Sequence, residues 1–266
     1  MFDKSLRILG MALLACLVAP VRAQSGSEPD AKRKAGDELN AGVAALTNAQ
    51  YPEATEHFKA AVQLDPDYIK ARLYLATAYI QQYIPGADTP ENLEMARAAQ
   101  DQFQNVLDLD PSNELAIASI ASLLFQQKKL DDAQEWNRKL IAVNPTNKEA
   151  YYTLAVIAWT KTFPARMEAR TRMAMRPEDP GPLRDAQLRA ELAAKSRPII
   201  EDGIRNLQEA LSLDPQYDDG MAYMNLLYRE KADLEDTVED YKAYTAEADR
   251  WVQKSLDTRK AKAARN

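Results

Sequence analysis

The chain has 266 residues, of which 46% are hydrophobic and 28% charged, so it is long enough to bury a sizeable core. Its net charge of -6 provides no broad positive surface for neutralising phosphates, which argues against nucleic acid as a partner. Glycine is scarce, at 8 residues, while helix-forming residues abound, which favours helices over sheets joined by tight turns. An all-α fold is therefore expected.

The first 23 residues differ in character from the rest of the chain. Lys4 and Arg7 precede an apolar run over 8–21, which ends near the small residues that a signal peptidase recognises. A helix that spans a bilayer needs about 20 residues, which is longer than this run. We therefore expect 1–23 to be a cleaved secretory signal, 24–34 a flexible linker, and the mature protein to be periplasmic or secreted.

Cys16 is the only cysteine, and it lies inside the apolar run in the sequence Leu-Leu-Ala-Cys. This pattern resembles the lipobox of bacterial lipoproteins, in which the cysteine carries a lipid anchor. The apolar run continues past Cys16, which favours ordinary cleavage after residue 23. Both interpretations stay open. If Cys16 is lipidated, the protein is a membrane lipoprotein and a lipid-anchored subunit of an envelope complex. A membrane is a partner only in that case.

One short element occurs four times along the chain. Its copies end at Pro66, Pro111, Pro145 and Pro215, each preceded by Asp or Asn and an apolar segment. A residue before proline is pushed out of the α region, so each copy marks the end of a helix. The spacings of 45, 34 and 70 residues between these prolines indicate one period of 34 residues with two insertions.

These residues resemble the tetratricopeptide repeat, a pair of antiparallel helices of about 34 residues with small side chains where the helices cross. Repeats are assigned to 35–68, 69–113, 114–147 and 148–217, followed by a degenerate capping unit at 218–257. The small positions of the pattern are occupied by Gly42, Ala54, Ala61, Ala76, Ala99, Ala121, Ala133, Ala155, Gly203 and Ala210. The resemblance implies an all-α solenoid, in which the helix pairs wind into a right-handed superhelix, and a non-enzymatic function in protein binding.

The fourth repeat contains an insertion at about 163–198, expected as two short helices joined by a proline-rich elbow at 176–182. From 161 to 197 the chain has nine Lys or Arg and five Asp or Glu. One hypothesis is that basic residues here bind an anionic partner: Arg166, Arg170, Arg172, Arg176 and Arg184. The alternative is that these charges are solvated or pair with the protein's own acids. Residues 258–266 are expected to form a basic tail, as a frayed and solvated helix end.

In the family, one stripe of each first helix lines the concave face of the superhelix. The corresponding residues here are mostly apolar or aromatic: Leu39, Val43, Leu73, Thr77, Ile80, Ala118, Ser122, Phe125, Tyr152, Val156, Trp159 and Leu226. The stripe lacks the Lys, Arg and Asn residues with which family members hold a partner's C-terminal carboxylate. An exposed apolar stripe marks a binding surface, and the expected occupant is a helix or an extended peptide. The alternative is that the insertion folds back and covers the stripe.

The sequence has too few histidines and cysteines for the usual catalytic or metal-binding groups of residues. The chain has one histidine, His57, no cysteine beyond residue 16 and no glycine-rich phosphate loop. A carboxylate-dependent hydrolase stays open as a less favoured alternative, because 40 acidic residues can pair in space without a sequence signature. The sequence therefore predicts a protein-binding scaffold of the cell envelope, not an enzyme, with no metal and no other cofactor.

Overall fold

The structure, a computed structural model, describes residues 28–176 and 179–265. Within these ranges the chain forms ten α-helices and no strands. The helices are α1 Glu28–Thr47, α2 Tyr51–Leu64, α3 Ile69–Gln82, α4 Pro90–Leu109, α5 Glu114–Gln126, α6 Leu130–Val143, α7 Lys148–Arg172, α8 Ala186–Leu213, α9 Asp218–Asp233 and α10 Val238–Ala263. The prediction of an all-α fold is confirmed. No helix of the described ranges combines the length and the apolar character that a membrane crossing requires.

The helices form five consecutive pairs, from α1 with α2 to α9 with α10, and each helix packs mainly on its neighbours along the chain. This arrangement is an α-solenoid of stacked antiparallel helix pairs. The second to fifth pairs begin at Ile69, Glu114, Lys148 and Asp218, which are the first residues of the second to fifth repeats expected from the sequence.

Four of the helix pairs end at the repeated element before proline. The residue before each proline caps the second helix of its pair in an extended conformation, with φ between -139° and -132°, at Asp65, Asp110, Asn144 and Asp214. Its backbone N–H still donates to the carbonyl four residues earlier, so the last turn is complete. The helix stops there because the proline ring excludes the α conformation of the preceding residue.

The apolar core runs along the stack as three clusters, which join α1–α3, α3–α7 and α7–α10. Small residues let the helices cross closely within it. A Cβ atom built on Gly42 would lie 2.5 Å from the Phe58 ring, and one on Gly203 would lie 2.8 Å from the Ala158 Cβ. Two small positions of the repeat pattern therefore lie at tight helix crossings.

The linker expected at 24–34 needs a correction. Helix α1 begins at Glu28, so most of this segment is helical and not flexible. Ion pairs between residues one turn apart, such as Lys32 with Glu28, stabilise the start of this helix. The signal expected at 1–23, with Cys16, lies outside the described residues.

The insertion does not form two short helices. Helix α7 continues through Pro164 to Arg172, and α8 passes through Pro198 before it reaches the repeat proper. The insertion therefore lengthens one hairpin, because its amphipathic ends pack against each other and against α9 despite the two prolines. The described residues of the elbow lie in the connecting loop of 173–185.

The basic tail is also helical, up to Ala263, and does not extend freely into solvent. Arg259 lies 2.7 Å from Asp218 and 2.9 Å from Asp219, and Lys262 pairs with Asp218 as well. Most residues of the tail are exposed, as expected of a solvated helix end, and pairing with the two acidic residues at the start of α9 corrects only the expected fraying.

Candidate functional site

A depression of about 690 Å³ opens on the face formed by the first helices of the third, fourth and fifth pairs. It lies where α5 and α7 make few direct contacts with each other. Residues of α5, α6, α7 and α9 line it, among them Ala118, Ser122, Phe125, Tyr152, Val156 and Tyr223. We call this surface the α5–α7 depression.

Three of the predicted groove residues line this depression. Phe125 stands on α5, and Tyr152 and Val156 stand one turn apart on α7; all three are half-buried. Ala118 and Ser122 of the wider predicted stripe line it too. The helical periodicity of the sequence therefore brings these side chains to one surface.

The other predicted groove residues lie outside the depression. Val43, Leu73, Thr77 and Ile80 are half-buried on α1 and α3. Leu39 is 3% exposed, because the cluster that joins α1, α2 and α3 encloses it. The assignment of Leu39 to a partner-binding surface is therefore corrected to the core.

Aromatic rings form the α7–α9 side of the depression. The Tyr152 ring centroid lies 5.3 Å from those of both Tyr217 and Tyr223, in edge-on geometry. Trp159, one of the predicted groove residues, does not line the depression; it lies beside it, 4.6 Å from Phe163 and 6.0 Å from Tyr223. Edge-on packing of this sort holds rings in place without covering them completely. Burial raises the pKa of Tyr152 to about 12, so its hydroxyl stays protonated at neutral pH.

The rim of the depression is acidic. Glu149 is the one charged residue among those that line it, and its carboxylate accepts a hydrogen bond of 2.6 Å from the Tyr217 hydroxyl. Glu114 accepts hydrogen bonds of 2.9 Å from the side chains of Asn144 and Asn147, and Asn147 also lines the depression. Within the described ranges, the donors to these two carboxylates are uncharged.

Nine of the fourteen lining residues are absent from the predicted groove set, and Glu149 and Tyr223 are the most important of them. Glu149 precedes Tyr152 by three residues, a spacing that places both on one helix face. Helical periodicity alone could therefore have predicted Glu149 as a lining residue. Tyr223 precedes Leu226 by the same interval on α9. Its approach to Tyr152 depends on how α9 packs on α7, which no local pattern specifies.

The insertion does not cover this depression. None of its described residues is among those that line the surface. Its apolar residues instead enter the cluster of α7–α10, where Leu183 is fully buried and Met173, Leu188 and Leu192 are partly buried. The described residues of the insertion therefore do not fill the α5–α7 depression. They do contact the predicted stripe at Trp159, where Phe163 lies 4.6 Å away.

Two of the predicted partner-binding arginines are used inside the protein. Arg166 lies 2.8 Å from Glu230 and 2.7 Å from Asp233, and Arg170 lies 2.8 Å from Asp233. Arg170 is 1% exposed and also donates to two backbone carbonyls of the 173–185 loop. Because α9 supplies the acids, Arg166 and Arg170 tie the lengthened hairpin to the last repeat, and their assignment to an external partner is corrected.

The remaining three arginines of that hypothesis are exposed. Arg172 pairs with Glu168 and Arg176 with Asp179, both within the insertion, and Arg184 is also at the surface. Exposed pairs of this sort contribute little to stability, so these side chains can exchange partners easily. The exposed residues of the predicted basic surface are therefore confined to this outer end of the hairpin.

No metal site is assembled in residues 28–176 and 179–265, where no three His, Cys, Asp or Glu side chains are grouped as ligands. The Nδ1 atom of His57 lies 2.7 Å from a carboxylate oxygen of Glu38. A structural zinc site takes four donors, so this pair alone does not build one.

Known proteins share both the sequence pattern and the fold. The sequence model of the family described as "Tetratricopeptide repeat" matches residues 45–82 and 94–158. No curated protein matches the sequence. The chain is similar to the crystal structure of MamA, with a TM-score of 0.57 and 16% identity over 87% of this chain and 95% of that one.

Two further solved structures are similar. A MamA RS-1 double mutant has a TM-score of 0.58 and 17% identity, over 87% of this chain and 97% of its own. A third structure, MamA 41-end from Desulfovibrio magneticus RS-1, has a TM-score of 0.51 and 19% identity, over 82% of this chain and 96% of its own. Structural similarity at such low sequence identity shows only that the fold is shared. Together with the sequence match, which covers residues 45–82 and 94–158, the five stacked helix pairs support a tetratricopeptide-repeat protein.

Proposed function

We propose that this protein is a non-enzymatic scaffold that binds a segment of another protein in the α5–α7 depression. The supporting observation is an apolar and aromatic surface that no described part of the chain covers. Repeat solenoids present curved faces of this kind to extended partners. Uncovered apolar surface in a water-exposed concavity is costly unless a partner buries it for part of the time.

The shape and composition favour a helix or an extended peptide as the occupant. Phe125, Tyr152 and Val156 stand around the depression and offer contacts to one or two apolar anchors of such a segment. The rings of Tyr152 and Tyr223 are already held by their neighbours. Binding there loses little side-chain entropy, which favours affinity for a short segment.

Crosslinking in cells tests this function. A photoreactive phenylalanine analogue is placed at Ser122, which is exposed and lines the depression, or at Glu135, which is exposed on α6 and does not line it. We expect discrete adducts from position 122 and none of the same size from position 135.

A matched pair of substitutions completes that test. Val156→Asp puts a charge on the apolar floor of the depression, whereas Val143→Asp puts the same charge on α6, where Val143 is 41% exposed. The adducts should disappear only in the Val156→Asp background. Equal adducts from both crosslinking positions, or adducts that survive Val156→Asp, contradict binding in the depression.

We also propose that the protein is exported to the periplasm or beyond, on the basis of the basic and apolar pattern of residues 1–23. The mass of the mature protein discriminates between the modes of export. A chain that starts at Gln24 supports cleavage by signal peptidase, and a lipid-modified chain that starts at Cys16 supports the anchored alternative. Full-length protein confined to the cytoplasm contradicts both.

A further inference from the structure

We propose that the α5–α7 depression selects a basic amphipathic segment, in which a Lys or Arg stands within one helical turn of an apolar anchor. This chemistry rests on the proposed function and specifies which partners the same surface accepts.

The rim carries two carboxylates that the described protein does not neutralise. The donors to Glu149 and Glu114 are a tyrosine hydroxyl and two asparagine amides, at 2.6 to 2.9 Å. These bonds orient the carboxylates but leave both negative charges in place. Both glutamates are exposed at the rim, so solvent screens each carboxylate, and the sum of the two charges attracts a cation towards the depression.

The nearby cations are already occupied by other acids. Lys148, next to Glu149 in the chain, forms its ion pair with Asp214 and attracts Glu149 only as a smaller, longer-range effect. Lys161, further along α7, lies 2.6 Å from Asp131. Neither Glu114 nor Glu149 forms an ion pair within the described ranges, so a cation in direct contact with them is left for the partner to supply.

The apolar floor of the depression suits the apolar anchor of such a segment. Phe125 and Val156 supply an apolar surface for an aliphatic or aromatic anchor, and Tyr152 and Tyr223 lie beside it. Cations are also attracted to tyrosine rings. The protein shows this contact nearby, where the Lys148 ammonium lies 4.6 Å from the centroid of the Tyr217 ring. An incoming Lys or Arg gains from the rim carboxylates and the rings together.

An acidic peptide segment does not suit this depression. An acidic segment would bring its carboxylates towards Glu149 and Glu114, and like charges in a shared concave site repel. This excludes the acidic C-terminal tails that a positively charged groove would hold. The depression is therefore selective by charge as well as by shape.

Selection from a random peptide library displayed on phage tests the inference. Purified protein is the target, and clones that also bind the Val156→Gln variant, which disrupts the apolar floor without adding a charge, are discarded, so that the surviving peptides depend on the depression. We expect Lys or Arg to be enriched within four residues of an apolar anchor. A survivor is then synthesised together with an analogue in which Glu replaces each Lys and Arg.

Two variants of equal net charge measure the contribution of the rim. The double variant Glu114→Gln/Glu149→Gln retains hydrogen-bond acceptors but removes both charges, and Glu135→Gln/Glu209→Gln removes two exposed charges elsewhere. We expect the first to weaken binding of the basic peptide about ten-fold or more, and the second to change it less than about two-fold. The Glu-substituted analogue should bind wild-type protein at least about ten-fold more weakly than the basic peptide.

The possible failures are distinguishable. Depression-dependent peptides without enrichment of Lys and Arg, or enriched in Asp and Glu, overturn the charge selectivity and leave the proposed function standing. A selection in which no peptide depends on Val156 overturns both. If the double variant at Glu114 and Glu149 does not keep the thermal midpoint of the wild type, the comparison of the basic peptide with its Glu-substituted analogue decides the matter on wild-type protein.

Discussion

Gly203 and Gly36 are both helical glycines, but their surroundings differ. A Cβ at Gly203 would lie 2.8 Å from atoms of Ala158 and Leu227, whereas nothing lies within 4 Å of one at Gly36. Alanine in place of glycine stabilises a helix by about 0.5–1 kcal/mol, and overpacking of a core costs about 1–3 kcal/mol. We expect Gly36→Ala to raise the free energy of unfolding and Gly203→Ala to lower it by about 1 kcal/mol, as measured by urea denaturation. A stabilising Gly203→Ala would mean that α7, α8 and α9 do not cross as closely as the structure shows.

At the scale of the helices, the contact between α7 and α9 includes a buried acid. Glu230 is 1% exposed and pairs with Arg166, next to Asp233 and Arg170. Burial raises the pKa of Glu230 to about 7, with Arg166 opposing, from a usual value of 4.5. Because the folded state holds this proton more tightly than the unfolded state does, the stabilising contribution is present below pH 4.5 and lost as the pH rises through about 7.

Glu230→Gln removes this titration. We expect the free energy of unfolding of the wild type, relative to that of Glu230→Gln, to fall by up to about 3 kcal/mol between pH 4.5 and pH 8. Urea midpoints of the two proteins over that range measure it, and Glu239→Gln, at an exposed acid of α10, is the control and should track the wild type. If the difference grows with pH instead, Arg166 outweighs burial and the direction of the pKa change is wrong.

The same elements show what the sequence could predict. The ends of α2, α4, α6 and α8 follow from one local rule, because proline excludes the helical conformation of the residue before it, whatever surrounds it. The start of α1 and the long helices of the insertion do not follow from such rules. Pro164 and Pro198 oppose a continuous helix locally, and packing on α9 overrides them.

The candidate site also has one part that the sequence predicts and another that it does not. Tyr152 and Val156 were predictable because they recur at helical spacing on one face. The depression itself depends on the gap between α5 and α7 and on the approach of Tyr223 from another repeat, which arise from packing between repeats. The burial of Arg170 likewise depends on acids 63 residues away in the chain, so charge counting along the insertion could not place it.

For the whole molecule, the stack of pairs limits how far a local change spreads. Apart from the contact of α7 with α9 and a small one between α1 and α3, each helix packs on its immediate neighbours, and the apolar core consists of three successive clusters. The stability of such a solenoid is close to a sum of repeat terms and nearest-neighbour terms. The depression lies between the second and third clusters, so its geometry depends on the third to fifth pairs.

Phe58 provides a test of this nearest-neighbour behaviour. Its side chain is 0% exposed in the cluster of α1–α3, and Phe58→Ala is expected to cost about 3–5 kcal/mol there. Hydrogen exchange should then show lost amide protection in α1, α2 and α3, with protection in α7–α10 kept, because local stability need not be uniform across a repeat array. Leu227→Ala, at a residue equally buried in the third cluster, should give the reverse pattern. Uniform loss of protection along the chain in both variants would show that the repeats unfold as one cooperative unit, and peptide binding at the depression should then fail in Phe58→Ala as well.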